Sequence, residues 1–149
     1  MDSFSLSEDI KVMCLTANGF PEGIEVAHQQ LHNHFPQKEG RRFFGISKPD
    51  ENGQIIYKAG AEELKTGETE ALGFESLIIR KGYYNTFYLK DYSQNTNNIR
   101  EAFKILLGQN EVDPDGYCIE WYIGAHDVKC MVPVDEEYLH FTGLNNEKI

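Results

Sequence analysis

Basic residues are scarce in this chain: 14 Lys and Arg stand against 24 Asp and Glu, a formal net charge of −10. Binding nucleic acid requires a basic footprint that neutralises phosphates. The local basic pairs, Arg41-Arg42 and Arg80-Lys81, extend into no patch, so direct contact with nucleic acid or with an anionic membrane surface is not expected. Apolar runs are short, and none approaches the roughly 18 residues of a spanning helix. The opening MDSFSLSEDI is too polar and acidic for a signal peptide. Cysteine is limited to Cys14, Cys118 and Cys130. An odd count with no CxxC predicts reduced structural thiols and a cytoplasmic location rather than a disulfide framework. No GxGxxG or P-loop signature occurs, so no nucleotide is indicated and no cofactor is expected.

What is present suits a globular chain with a core: 40% of the residues are hydrophobic and 12% are aromatic. IKVMCLTA (10–17) reads as a strand. Ile24, Ala27, Leu31 and Phe35 then recur at helical spacing before Pro36, and RRFFGIS and QIIYKAGAEEL read as two strands split by the turn KPDENG. The order repeats: YYNTFYLKD as a strand, Ile99, Ala102, Phe103 and Leu106 as a helical stripe ending near Gly108, then GYCIEWYIG and DVKCMVPV as strands. Ile24, Ala27 and Leu31 map onto Ile99, Ala102 and Leu106 at an offset of 75 positions. The prediction is an α+β fold of two β-α-β-β repeats related by a pseudo-twofold axis. They share one antiparallel sheet, with two helices on one face and a ligand groove on the other. One domain is expected over 1–149, with repeats at about 10–65 and 75–134, a connector at 66–76 that adds short strand pieces, and a tail at 135–149. In the tail, Tyr138, Leu139 and Phe141 are candidates for docking on the domain or on a protein partner.

One acid stands out. Glu120 sits inside GYCIEWYIG, an otherwise apolar and aromatic strand. Strand side chains alternate. Tyr117, Ile119, Trp121 and Ile123 are expected under the helices, which sends Glu120 and Tyr122 to the open face. The same alternation sends Phe87 and Leu89 to the helices and Tyr84, Thr86 and Tyr88 to the groove. Glu120, Tyr122, Tyr84, Tyr88 and Tyr57 would then share one face. An acid ringed by aromatics suits an amine or lipophilic cation, through charge and cation–π attraction. The plainer alternative is a solvated Glu, or one paired with a neighbouring Lys or Arg.

Two other clusters read as structural. His28 and His32 stand one helical turn apart, with His34 nearby, a spacing that suits Zn²⁺. The metalloprotease pattern needs Glu after the first His, and Gln29 stands there. By phase His28 borders the apolar stripe and His32 and His34 flank it; all three are read as helix-flank histidines, and no metal is expected. Lys48–Gly53 lacks the calcium-loop pattern and is read as a turn.

Several of these residues resemble the GyrI-like small-molecule-binding family, also called the bacterial transcription-activator effector-binding domain. Gly82-Tyr83-Tyr84-Asn85-Thr86-Phe87 resembles its G-x-Y-x-x-F strand, Glu120-Trp121-Tyr122 its E-x-Y element, and Asp127 to Val134 its closing strand with Pro133. Phe44-Gly45-Ile46 and Tyr57 fall where the family has a G-[IV] and an aromatic strand start. The resemblance spans about residues 8 to 135. It implies the paired β-α-β-β fold, with Glu120 at the base of a groove that receives cationic or aromatic compounds, Tyr122 beside it and Tyr84 as the G-x-Y tyrosine. Leu89-Lys90-Asp91-Tyr92 departs from the His and Gly-Pro common there, and Lys58 from an Asp, so no particular ligand is carried over.

Three functions follow as expectations. The first is a stand-alone small-molecule-binding module without a DNA-binding domain, since only about nine residues precede the first strand. The second, implied by some members of that family, is a hydrolase of reactive small molecules with Glu120 as general base, which a turnover assay separates from binding. The third is inhibition of DNA gyrase by protein contact, aided by the acidic surface, for which retention on immobilised gyrase is the discriminating observation.

Overall fold

The computed structural model describes residues 1–95 and 97–138. Strand β1 (Asp2–Leu6) leads to β2 (Ile10–Thr16), helix α1 (Ile24–Asn33) and the strands β3 (Phe43–Pro49) and β4 (Ile55–Glu62). A short helix α2 (Glu68–Leu72) follows. The order then recurs as β5 (Glu75–Ile79), β6 (Gly82–Leu89), α3 (Asn97–Leu107), β7 (Cys118–Ile123) and β8 (Asp127–Pro133). The expected α+β class and the two β-α-β-β units are there. Of the apolar tail residues, Leu139 and Phe141 lie outside the described residues. Among the described residues no helix is long and apolar enough to cross a membrane.

Local chemistry accounts for the elements. Ala27 and Leu31 of α1, and Ala102 and Leu106 of α3, are the buried stripe of each helix, matching the 3.6-residue period. The β3–β4 turn is tied by Asp50, whose Oδ1 accepts from the backbone N–H of Asn52 and Gln54 at 2.8 and 2.9 Å, an aspartate mimicking a backbone turn. Gly53 follows at φ +80°, where a side chain would be strained. Helix α2 is docked by Arg41. Its guanidinium forks both carboxylate oxygens of Glu68 at 2.8 and 3.0 Å and also donates to the Glu62 carbonyl at 2.6 Å.

The strands form one antiparallel sheet in the order β1-β6-β8-β7-β3-β4-β2-β5. The two units meet at β3 and β7, where Gly45 faces Glu120 and Ile46 faces Ile119. Each unit's leading strand crosses to the other: β1 pairs with β6, and β5 pairs with β2. Neither β1 nor α2 was expected from the sequence, and β5 takes the place of the strand pieces expected in the connector.

Both faces of the sheet are covered. On one, α1 packs with Met13, Phe43, Ala59 and Ala61, and α3 packs with Val128, Cys130 and Val132. On the other, Leu6 of β1, Ile10 and Val12 of β2, Ile79 of β5 and Tyr84 of β6 share a cluster with Phe44, Ile46, Ile119 and Met131. Those strands lie at opposite ends of the order, so the sheet is curled into a half-barrel whose inside is this second core. Burial of a full-sized apolar side chain contributes about 1.5–3 kcal/mol, so strands covered on both faces hold the framework firmly around whatever polar group they carry.

Candidate functional site

The curl reverses the expected facing of β7. Cys118 and Tyr122 pack on the helix side, against the α3 core, whereas Tyr117, Ile119 and Trp121 belong to the inside of the half-barrel. Glu120 therefore lies on the face that carries the helices. Phe87 and Leu89 are on the α3 side as expected, so Tyr84 and Tyr88 are on the face opposite Glu120. This corrects the grouping read from the sequence. Tyr84 is buried inside the half-barrel and donates to the Arg80 carbonyl. Tyr88 is 43% exposed and donates to Asp127 Oδ2 at 2.6 Å. The physical reason is that both faces of β7 are covered, so alternation marks two faces without saying which one meets the helices.

The remaining three residues do converge. Tyr57 of β4 donates to Glu120 Oε1 at 2.8 Å, and Tyr122 donates to the same oxygen at 2.5 Å. The two hydroxyls are 3.1 Å apart. The close approach depends on Gly45, Glu120's partner across the β3–β7 ladder. A Cβ there would overlap the Tyr57 hydroxyl and lie 2.5 Å from Glu120 Oε1. From above, α1 supplies His28, whose Nε2 is 2.7 Å from the Tyr57 hydroxyl and whose ring stands edge-on to Tyr57 and Tyr122, centroids 5.7 and 5.2 Å away. Phe20 stacks on Tyr57 at 6.1 Å, and Tyr92, in the turn before α3, packs on Tyr122 at 5.8 Å. The sequence alone marks His28 only as a helix-flank histidine. Its signal was positional: it follows Ala27 directly, at the border of the buried stripe.

Burial raises the Glu120 pKa, and the hydrogen bonds from Tyr122 and Tyr57 oppose that rise. Burial, reinforced by the neighbouring carboxylate, also pushes the Tyr57 and Tyr122 hydroxyls far up, so both stay protonated donors. His28 is pushed down to about 4 by burial and by His32, so it is neutral at pH 7. Cys118 and Cys130 are raised to about 11 and about 12 by burial and then by Glu120, which leaves them poor nucleophiles.

The carboxylate is asymmetric. Both tyrosine bonds fall on Oε1, and no hydrogen bond from a described residue lands on Oε2. Glu120 as a whole is half-buried, and desolvation is the largest influence on its carboxyl. The ion pairs among the described residues involve Glu39, Glu62, Glu63, Glu68, Glu70 and Glu75, not Glu120. An acid held from behind by two hydroxyls, walled by aromatic rings and without an ion pair among the described residues, is equipped to accept a hydrogen bond or a positive charge from outside. A separate cavity of about 140 Å³, lined by Leu77, Ile79, Arg80, Tyr84, Tyr117 and Ile119 among others, opens on the opposite face and does not touch Glu120.

Comparison with known proteins supports the fold and leaves the family open. No protein-family model matches the sequence, and no curated protein matches it. Solved structures do match. SAV2435 bound to tetraphenylphosphonium superposes with a TM-score of 0.60 at 12% identity, covering 93% of this chain and 96% of that one. A putative bacterial transcription regulation protein from Staphylococcus aureus MU50 gives 0.57 at 10% identity over 90% and 97%. A hydrolase from Listeria innocua gives 0.51 at 9% identity over 90% of both chains. At these identities the likeness is one of fold.

Proposed function

We propose that this chain binds lipophilic organic cations of aromatic character, with Glu120 as the charge anchor and Tyr57, Tyr122, Tyr92, Phe20 and His28 as the surrounding wall. The observation that carries the reading is the half-buried carboxylate with one oxygen fixed by two tyrosines, the other accepting no hydrogen bond from a described residue, and no ion pair to a described Lys, Arg or His. Leaving such a charge without a partner is costly, and a bound cation supplies the partner while ring faces add attraction of about 0.5–2 kcal/mol. The ligand of SAV2435, a protein of similar fold, is of this chemical class. The test is calorimetric titration with aromatic cations and their uncharged isosteres. Cations are expected to bind at least tenfold more tightly than isosteres, and Glu120→Gln is expected to remove that preference while still folding. Equal affinity for both, or a preference that survives in Glu120→Gln, would overturn the reading.

A second reading has its own support. A carboxylate with a raised pKa beside two hydroxyl donors is the pairing needed for a general base and a hydrogen-bond donor in hydrolysis, and the Listeria innocua hydrolase shares the fold. Turnover of electrophilic small molecules that disappears in Glu120→Gln would establish it. Binding without turnover across such a panel would leave Glu120 as an anchor only.

A further inference from the structure

The hydrogens around Tyr57 assign a role to His28. Tyr57 has one hydroxyl proton, and it points to Glu120 Oε1 at 2.8 Å. The same hydroxyl oxygen lies 2.7 Å from His28 Nε2. With its proton given to the carboxylate, Tyr57 can only accept from the histidine. A neutral imidazole has one N–H, so in this arrangement His28 would carry it on Nε2 and leave Nδ1 bare. The opposite tautomer would draw the Tyr57 proton onto Nε2 and leave Tyr122 as the sole donor to Oε1.

We propose that His28 is a positioning residue of the cation site: its Nε2–H donates to Tyr57, which commits the Tyr57 hydroxyl to Glu120 and holds that carboxylate as an anion with Oε2 free for the ligand. The proposal rests on Glu120 as the anchor, and extends it from the sheet to helix α1. The groups facing His28 can be named element by element. On its own helix there is His32, one turn on, with ring centroids 6.4 Å apart, and Lys38 lies near His32. On β4 there is Tyr57. On β7 there are Glu120 and Tyr122, the Tyr122 hydroxyl lying 3.5 Å from Nε2. In the turn before α3 there is Tyr92, against Tyr122. None of the ion pairs among the described residues includes His28.

Packing alone would make a different prediction. A ring that only fills space between Tyr57 and Tyr122 is best replaced by phenylalanine, whereas a donor is best replaced by glutamine, whose amide N–H reaches a similar position. The test has three readouts. First, ¹⁵N NMR of the wild type without ligand is expected to show His28 protonated on Nε2, and protonation on Nδ1 would overturn the proposal whatever the variants do. Second, the Glu120 carboxyl is titrated by ¹³C NMR, again without ligand. His28→Phe is expected to raise its midpoint by about one pH unit, a tenfold shift, and His28→Gln to stay near the wild type. An unmoved midpoint in His28→Phe, or His28→Gln behaving like His28→Phe, would overturn the proposal. Third, affinity for tetraphenylphosphonium is followed against pH, a permanent cation so that only protein groups titrate. The acid-side loss of affinity is expected to move with the Glu120 midpoint. If the probe binds to none of the proteins while the midpoint still shifts, the binding reading fails and the role of His28 stands. If it binds with one and the same pH profile in all three, the binding reading stands and the role of His28 fails.

Discussion

A carboxylate on the covered face of a sheet loses hydration that two hydroxyls on one oxygen only partly replace, and the raised pKa of Glu120 records the deficit. The sign of the consequence follows from linkage. A group whose folded pKa lies above its unfolded value, near 4.3 for Glu, contributes its stability below that unfolded value and loses it as pH rises through the folded one. Glu120→Gln keeps an acceptor for Tyr57 and Tyr122 and removes the charge. Its melting temperature is expected to exceed that of the wild type at pH 7 to 8, with the gap closing near pH 4; thermal melts across that range check this, and no gap at pH 8 would mean a well-solvated acid. His28 has the opposite window. Its folded pKa, about 4, lies below the ordinary 6.5, so its contribution is complete above 6.5 and is lost as pH falls toward 4. A shift of that size corresponds to a loss on the order of 3 kcal/mol, and urea unfolding between pH 7 and pH 4 is expected to show it in the wild type and not in His28→Phe. Gly45 sets the room for all of this. Gly45→Ala would force the Tyr57 hydroxyl and Glu120 aside, costing about 1–3 kcal/mol as overpacking together with the cation preference. Gly60→Ala, whose Cβ would lie 2.5 Å from Val12 Cγ1 on the opposite face, is expected to cost stability and leave affinity unchanged.

Among the elements, α2 is held by its Thr69, which donates to Glu63, by Lys11 on Glu70, and by one buried ion pair. The Arg41 side chain is 3% exposed and Glu68 15%, and the guanidinium also lies over the Phe35 ring at 4.3 Å. Removing the acid leaves a buried cation with only the Glu62 carbonyl and a long contact to Glu39 at 3.9 Å, its Nε already lacking a partner. Glu68→Gln is therefore expected to cost about 3–5 kcal/mol, and Arg41→Met less, because the freed carboxylate turns to water and still accepts from the Leu64 N–H. Denaturant midpoints for the two variants decide the order, and the reverse order would show that Glu68 is the member held out of water. That dependence also explains what the sequence conceals. The stripes of α1 and α3 are legible because each helix buries one side. ETEAL has no stripe of its own, and is anchored by polar partners elsewhere in the chain, Arg41 27 positions away and Lys11 59 positions away among them. DSFSL, with only Phe4 and Leu6 to bury, becomes a strand because β6 is waiting for it. Glu120 is legible as an acid out of place, but its facing is not, since Trp121 on one side of β7 and Tyr122 on the other both find cover. Tyr84 and Tyr88 were misplaced through the same ambiguity, and His28 was missed because its partner is a hydroxyl far along the chain.

At the scale of the molecule, the exchange of leading strands ties the first unit to the second at both ends of the sheet, and the β3–β7 ladder ties them in the middle. Pairings such as Asp2 with Thr86 close long loops, a topology that folds slowly compared with helical bundles. Cut between β4 and α2, each piece would lack the edge strand that its remaining strands need. Fragments 1–65 and 66–149 are expected to be unfolded alone and to regain structure when mixed, which circular dichroism of the separate and combined fragments would test; an independently folded fragment would refute it. The candidate site straddles this seam. His28, Gly45 and Tyr57 come from the first piece, and Tyr92, Glu120 and Tyr122 from the second. A cation that binds there recognises only the reassembled pair, so by mass action it would act as a glue between the two pieces: the ligand's affinity and the fragments' affinity for each other become one coupled equilibrium, each readable from the other.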